Sequence, residues 1–201
     1  MEKYKVLTDK VKQVFNGFYI DYENEDLPYI DLDRTDKIIL NERYFKIDSF
    51  PKTMDKESPH SILEVFWDLD KVKDKYFIQE NKFLRALLII MSYSKEIIIV
   101  SEYFVSENKK HIKRVLSKKE STYLEQLSDT LFDFKEIGYN YYIIDALMKL
   151  ALRERVYLSI YMLDLGIGLE INGLFSNVYI GLNGSIDIVK YICNVEGLYV
   201  R

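Results

Sequence analysis

Residues 156–180 read VYLSIYMLDLGIGLEINGLFSNVYI. Val156, Leu158, Ile160 and Met162 recur at every second position, the pattern of a strand with one buried face. Leu165, Ile167, Leu169 and Ile171 alternate on the shifted phase. The step at Leu163-Asp164 therefore marks a turn or bulge between two strands. A helix running through Met162 is the alternative reading of the first half. Asn172-Gly173 is a strong hairpin signal, because both residues accept positive φ. It joins 165–171 to 174–180 and completes a β-meander.

Around that meander the period changes from two to 3.6. Downstream, Asn183-Gly184 turns the chain, Ser185 caps a short helix through about Asn194, and Gly197 ends it. Upstream, 141–152 is apolar almost all round, which marks the most central helix. Its polar stripe is Asp145, Lys149 and Arg153, spaced by four with the acid first. Residues 97–105 are β-branched and aromatic and predict a buried strand. Helical spacing predicts helices over 3–16, 59–76, about 80–92, 107–118 and about 121–134. Asn16-Gly17 stops the first, Ser58-Pro59 opens the second, and Ser106 caps the basic helix at 107–118. Residues 29–33 alternate like a short strand, and 37–48 is strand-like with a turn at Asn41-Glu42. The expected fold class is α+β: a single helix-rich domain over 1–201 with an antiparallel C-terminal β-meander.

The composition allows such a core. The chain has 201 residues, 48% hydrophobic and 30% charged, with a formal net charge of -4. That excludes disorder, collagen-like repeats and a disulfide scaffold. Cys193 is the only cysteine, so a reducing compartment is expected. The N-terminal Met1-Glu2-Lys3-Tyr4-Lys5 has no apolar run behind it, and no stretch approaches the ~18 apolar residues of a membrane span. A cytoplasmic protein with no membrane partner is the expectation. The usage is skewed toward Ile, Lys, Tyr and Asn, with three alanines. An AT-rich bacterial or phage coding sequence accounts for that skew, and it weakens any argument from the 17 tyrosines.

Charge is unevenly placed. Asp21, Glu23, Glu25, Asp26, Asp31, Asp33 and Asp36 crowd one segment against the single base Arg34, a local charge of -6. Lys109, Lys110, Lys113, Arg114, Lys118 and Lys119 crowd another against Glu107, a local charge of +5. The acidic segment can steer a basic partner. The basic one resembles no nucleic-acid motif. Its excess of lysine over arginine argues against base reading, so nucleic acid is not the expected partner.

Catalytic signatures are sparse. Asp31, Asp33 and Asp36 are the candidate ligands for a hard divalent cation, without the glycine or distal glutamate of an EF-hand. If 29–33 is a strand, Asp31 and Asp33 share a face. Gly166-Ile167-Gly168 begins like a dinucleotide fingerprint, but Ile171 stands where the third glycine belongs. Sheet sterics explain the pair better. Neither His60 nor His111 is placed to activate Cys193, which reads as core. Glu107-Asn108-Lys109 lacks the strand that an E-x-K nuclease motif needs. Trp67 reads as core edge or interface anchor. No cofactor is expected.

The leading expectation is a cytoplasmic protein-binding module without catalysis, of bacterial immunity or antitoxin type. Asp21, Glu23, Glu25, Asp26, Asp31 and Asp33 would dock a basic partner such as a toxin domain. One alternative is a divalent-metal phosphoester hydrolase built on the clustered aspartates. Another is a phage or mobile-element structural protein.

Overall fold

A computed structural model describes residues 2–21, 27–51, 73–104 and 115–201. In chain order the elements begin with α1 (Glu2–Val14), β1 (Tyr19–Asp21), β2 (Tyr29–Asp31), α2 (Lys37–Arg43) and β3 (Tyr44–Asp48). Next come α3 (Lys73–Ser92), β4 (Ile97–Ser101), α4 (Lys118–Leu124), β5 (Leu131–Asp133) and α5 (Tyr141–Leu152). The chain ends with β6 (Leu158–Met162), β7 (Ile167–Ile171), β8 (Ser176–Ile180), α6 (Asp187–Val195) and β9 (Tyr199–Val200). Single 3₁₀ turns occupy Glu102–Phe104 and Phe134–Ile137.

The expected meander forms the centre of a seven-stranded sheet ordered β5-β4-β6-β7-β8-β3-β9, antiparallel at every step. Met162 pairs with Ile167 across the first turn and Ile171 with Ser176 across the second. The α+β class read from the sequence is therefore the observed one. β1 and β2 pair separately, as a two-stranded sheet.

Each sheet face has its own core. Ile97, Ile99, Leu158, Ile160, Met162, Ile167, Leu169, Ile171, Val178 and Ile180 point to one side, against α3, α5 and α6. α5 buries eight residues there, as its continuous apolarity requires. The other face presents Ile98, Val100, Tyr161 and Tyr179 to α1 and to the β1–β2 hairpin. Phe15, in the turn that follows α1, lies over Gly168, where an added Cβ would meet its ring at 3.2 Å. Gly166 turns the chain at φ 59 and packs against Gly184. The two glycines of the incomplete fingerprint thus do steric work in the sheet.

Several local expectations are corrected. Residues 37–48 are a helix followed by a strand: Asp36 accepts the Ile38 amide proton at 2.7 Å and caps α2, and only 44–48 extend. α3 runs unbroken from 73 through 92, since 77–79 contain neither glycine nor proline to part it. The strand at 97–105 ends at Ser101. The expected helix at 121–134 is short: a capping box of Ser117 and Glu120 opens it at 118, and Leu131–Asp133 pairs with β4 instead. Val115 and Leu116 precede that cap and are not helical, so a helix through 118 is not formed. Residues 107–114 of the basic segment, with His111, and residues 59–72 of the separate helix predicted over 59–76, with His60 and Trp67, lie outside the described residues. Among the described residues, no helix is long and apolar enough to cross a membrane.

Candidate functional site: the acidic hairpin and a tyrosine cluster beside it

The acidic segment folds on the β1–β2 hairpin. Register pairs Tyr19 with Asp31, Ile20 with Ile30 and Asp21 with Tyr29. Directly opposed residues share a face. Ile20 and Ile30 therefore point inward together, at 8% and 6% exposure. Tyr19, Asp21, Tyr29 and Asp31 occupy the opposite face, where Tyr19 is exposed, Asp21 and Asp31 are half-buried and Tyr29 packs against Tyr157. The stem is clamped by Arg43, which donates to the carbonyls of Ile180 at 2.6 Å and Asn16 at 2.9 Å and lies over the Phe18 ring.

The carboxylates then diverge in role. Asp31 Oδ1 accepts the amide protons of Asp33 at 2.9 Å and Arg34 at 3.1 Å, and its carbonyl accepts from Thr35 Oγ1. Its other oxygen lies 3.6 Å from Arg34 Nε. Arg34 donates to the Tyr19 hydroxyl at 2.8 Å and covers that ring; this bond, with Asp21 and Asp31 nearby, raises the guanidinium pKa. Asp36 caps α2. Asp33 is exposed, and its carboxylate takes no hydrogen bond or ion pair among the described residues.

β2 stops at Asp31, so the expected strand through 33 is shortened and Asp31 and Asp33 do not share a strand face. Among the described residues, no group of three or more His, Cys, Asp or Glu side chains is placed to hold a metal ion. Asp31, Asp33 and Asp36 are not brought together as chelators. Glu23, Glu25 and Asp26 lie outside the described residues. Burial pushes the Cys193 thiol up to about 12, so it carries no thiolate at neutral pH.

A second polar cluster, which sequence reasoning missed, lies on the sheet face beside the hairpin. Register aligns Ser159, Glu170, Asn177 and Lys46 in one row across β6, β7, β8 and β3. Glu170 is half-buried. It accepts from the Tyr179 hydroxyl and from Asn177 Nδ2 at 3.1 Å. Tyr44 donates to Asn177 Oδ1 at 2.8 Å. Tyr29 meets Tyr157 edge-on at 5.1 Å, and Tyr44 stacks on Tyr179 at 5.8 Å. Burial, with the Glu170 charge adding to it, pushes the Tyr44 hydroxyl up to about 12 and those of Tyr157 and Tyr179 higher still. The signal available in the sequence was Glu170 itself, the one charged residue within an otherwise apolar and glycine strand.

A groove of about 690 Å³ separates the end of α1 from the β6–β7 turn, lined in part by Lys10, Asn16, Glu96, Asp164 and Asn183. Asp164 is already engaged there, accepting from Ser94 and from the amides of Lys95 and Glu96.

No protein-family model, curated protein or solved structure matches this chain.

Proposed function

We propose that the chain is a protein-binding module that docks a basic partner through the outer side of its acidic hairpin. One observation carries this reading. The hairpin is fixed from below by Ile20, Ile30 and the Arg43 clamp, while Asp33 is exposed and Asp21 and Asp31 lie half-buried on the face away from Ile20 and Ile30. A preorganised anionic surface accelerates encounter with a cationic one without rearranging its own backbone. Asp31 and Asp36 serve turn and cap, so Asp33, with the neighbouring Glu23, Glu25 and Asp26 of the sequence, is assigned to the partner. The immunity or antitoxin form of this reading has a toxin domain as the partner, and the buried thiol of Cys193 suits a reducing cytoplasm.

The test measures association of the purified chain with the product of the neighbouring reading frame. Charge reversal at Glu23, Glu25, Asp26 and Asp33 should slow association about tenfold or more at low salt and leave dissociation nearly unchanged. The difference should fade as the Debye length shrinks to ~3 Å near 1 M salt. Association rates indifferent to both salt and charge reversal would remove the electrostatic docking reading.

A further inference from the structure

We propose that the groove between the end of α1 and the β6–β7 turn binds a small zwitterion of short-peptide type, its ammonium at Glu96 and its carboxylate at Lys10. The groove shares no lining residue with the acidic hairpin and does not depend on a partner docking there.

The walls of the groove are tied to one another through the backbone. Leu163 donates to the Glu96 carbonyl at 2.8 Å, Leu182 to the Val14 carbonyl at 3.2 Å and Gly181 to the Gly166 carbonyl at 2.8 Å. Asp164 adds a clasp, accepting from the Ser94 hydroxyl and from the amides of Lys95 at 2.9 Å and Glu96 at 3.4 Å. The main chain of Glu96 is thereby held, while its carboxylate is left over. The other polar side chains of the lining are in the same position. Lys10, Gln13, Asn16, Glu96 and Asn183 are exposed, and none of these side chains takes a hydrogen bond or ion pair among the described residues. A ligand meeting them finds the backbone already in place and has no internal contact to displace.

The chemistry of the lining selects the ligand. It offers one free ammonium, Lys10, and one free carboxylate, Glu96. A purely anionic ligand would be opposed by Glu96 and Asp164, and a purely cationic one by Lys10; a zwitterion satisfies both ends. A hard metal ion would require several more oxygen ligands than the Glu96 carboxylate supplies. Gln13, Asn16 and Asn183 each carry an amide with two donors and an acceptor, the complement of a peptide group. Val14, Leu163 and Leu182 supply apolar contact, and Leu182 is 62% exposed. No aromatic ring lines the groove among the described residues, which disfavours a nucleobase, whose affinity rests on stacking. At about 690 Å³ the groove falls within the size range of small-ligand sites, which a di- or tripeptide matches.

The probes are the dipeptide leucyl-leucine, its N-acetyl form and its C-terminal amide, each titrated while the side-chain amide resonances of Gln13, Asn16 and Asn183 are followed by NMR. Saturable shifts are expected with leucyl-leucine. Acetylation and amidation should each weaken binding about tenfold, the loss of one charge-assisted hydrogen bond. Glu96→Gln should weaken leucyl-leucine about tenfold and leave the affinity of the acetylated form unchanged. Lys10→Met should weaken leucyl-leucine to the same degree and leave the affinity of the amide unchanged. These paired results assign each end of the ligand to its side chain. Shifts that do not saturate in the wild-type chain, or an affinity indifferent to acetylation or to amidation, overturn the proposal. So does a variant that weakens the modified dipeptide as much as the free one. Both side chains are exposed and unpartnered, so the variants should fold; if one does not, the modified dipeptides on the wild-type chain decide.

Discussion

Asp31 and Asp33 carry the same side chain two positions apart, yet only Asp31 accepts backbone protons. Replacing Asp31 by alanine should lower stability by about 1 kcal/mol, the usual value of such a side-chain-to-backbone bond. Asp33→Lys should stay within about 0.5 kcal/mol of wild type. Urea unfolding of both variants checks the pair, and equal losses would contradict the turn assignment. A deeper pair sits at Glu80, 2% exposed, which holds the Arg153 fork at 2.6 and 2.7 Å. Arg153→Met leaves that carboxylate buried and alone and should destabilise by about 3–5 kcal/mol. Replacing both partners by apolar residues should recover much of the loss in the same unfolding measurement. Glycines divide in the same way. A Cβ on Gly184 would stand 2.3 Å from the Gly166 carbonyl oxygen, whereas Gly138 at φ 62 has nothing within 4 Å. Gly184→Ala should therefore cost well over the ~1 kcal/mol expected of Gly138→Ala. The sequence marks Gly184 as a turn glycine; it cannot show the strand turn packed against it.

At the scale of elements, α4 has seven residues, too few to persist alone. It is held by its capping box and by Lys149 of α5, whose Nζ lies 2.5 Å from Glu120 and 2.7 Å from Asp145. Burial alone would raise the Glu120 carboxyl, but the bonds from Lys149 and Ser117 outweigh it and bring it from 4.5 down to about 2. A depressed folded-state pKa gives stability that is complete above the unfolded value and lost as pH falls through the folded one. Thermal stability should therefore decline between about pH 4.5 and 2, and Glu120→Gln should flatten that part of the profile. An unchanged slope in the variant would show that other carboxylates set the acid limb. Elements such as α1, α5 and the meander were legible because their own periodicity decides them. α2 was not. Ile38 and Ile39 read as β-branched strand residues, and Ile38 is 65% exposed, so no apolar stripe announces the helix. The cap at Asp36 and the Arg43 clamp decide it instead. β5 was equally hidden. Three residues at a sheet edge take their conformation from β4, more than two dozen positions earlier in the chain. The charge of Glu170 could be read, but the alignment of Tyr44, Tyr179 and Tyr161 from β3, β8 and β6 in the next row of the sheet is a product of register.

Across the whole molecule, one sheet separates two cores of unequal reach. The core against α3, α5 and α6 holds most of the fully buried aliphatic side chains, while the hairpin side is smaller and richer in tyrosine. Native-state hydrogen exchange should rank them accordingly. Amides of α5 and β6–β8 should open only with global unfolding, and those of β1 and β2, which lie outside the large sheet, should open earlier. Equal protection in the hairpin and α5 would imply one cooperative unit instead of two. The sheet ends in strands of three and two residues, β5 and β9. Edges that short offer little template for adding another chain.

The place of β3 has a consequence for biosynthesis. Tyr44 and its hydrogen-bond partner Asn177 are 133 positions apart, and β3 lies between the last two strands to be made. At ribosomal speeds of about 5–20 residues per second, the first third of the chain waits on the order of ten seconds before its neighbours exist. Over that interval Phe45 and Ile47 have no sheet to join, so the nascent chain is most open to chaperones before β8 emerges.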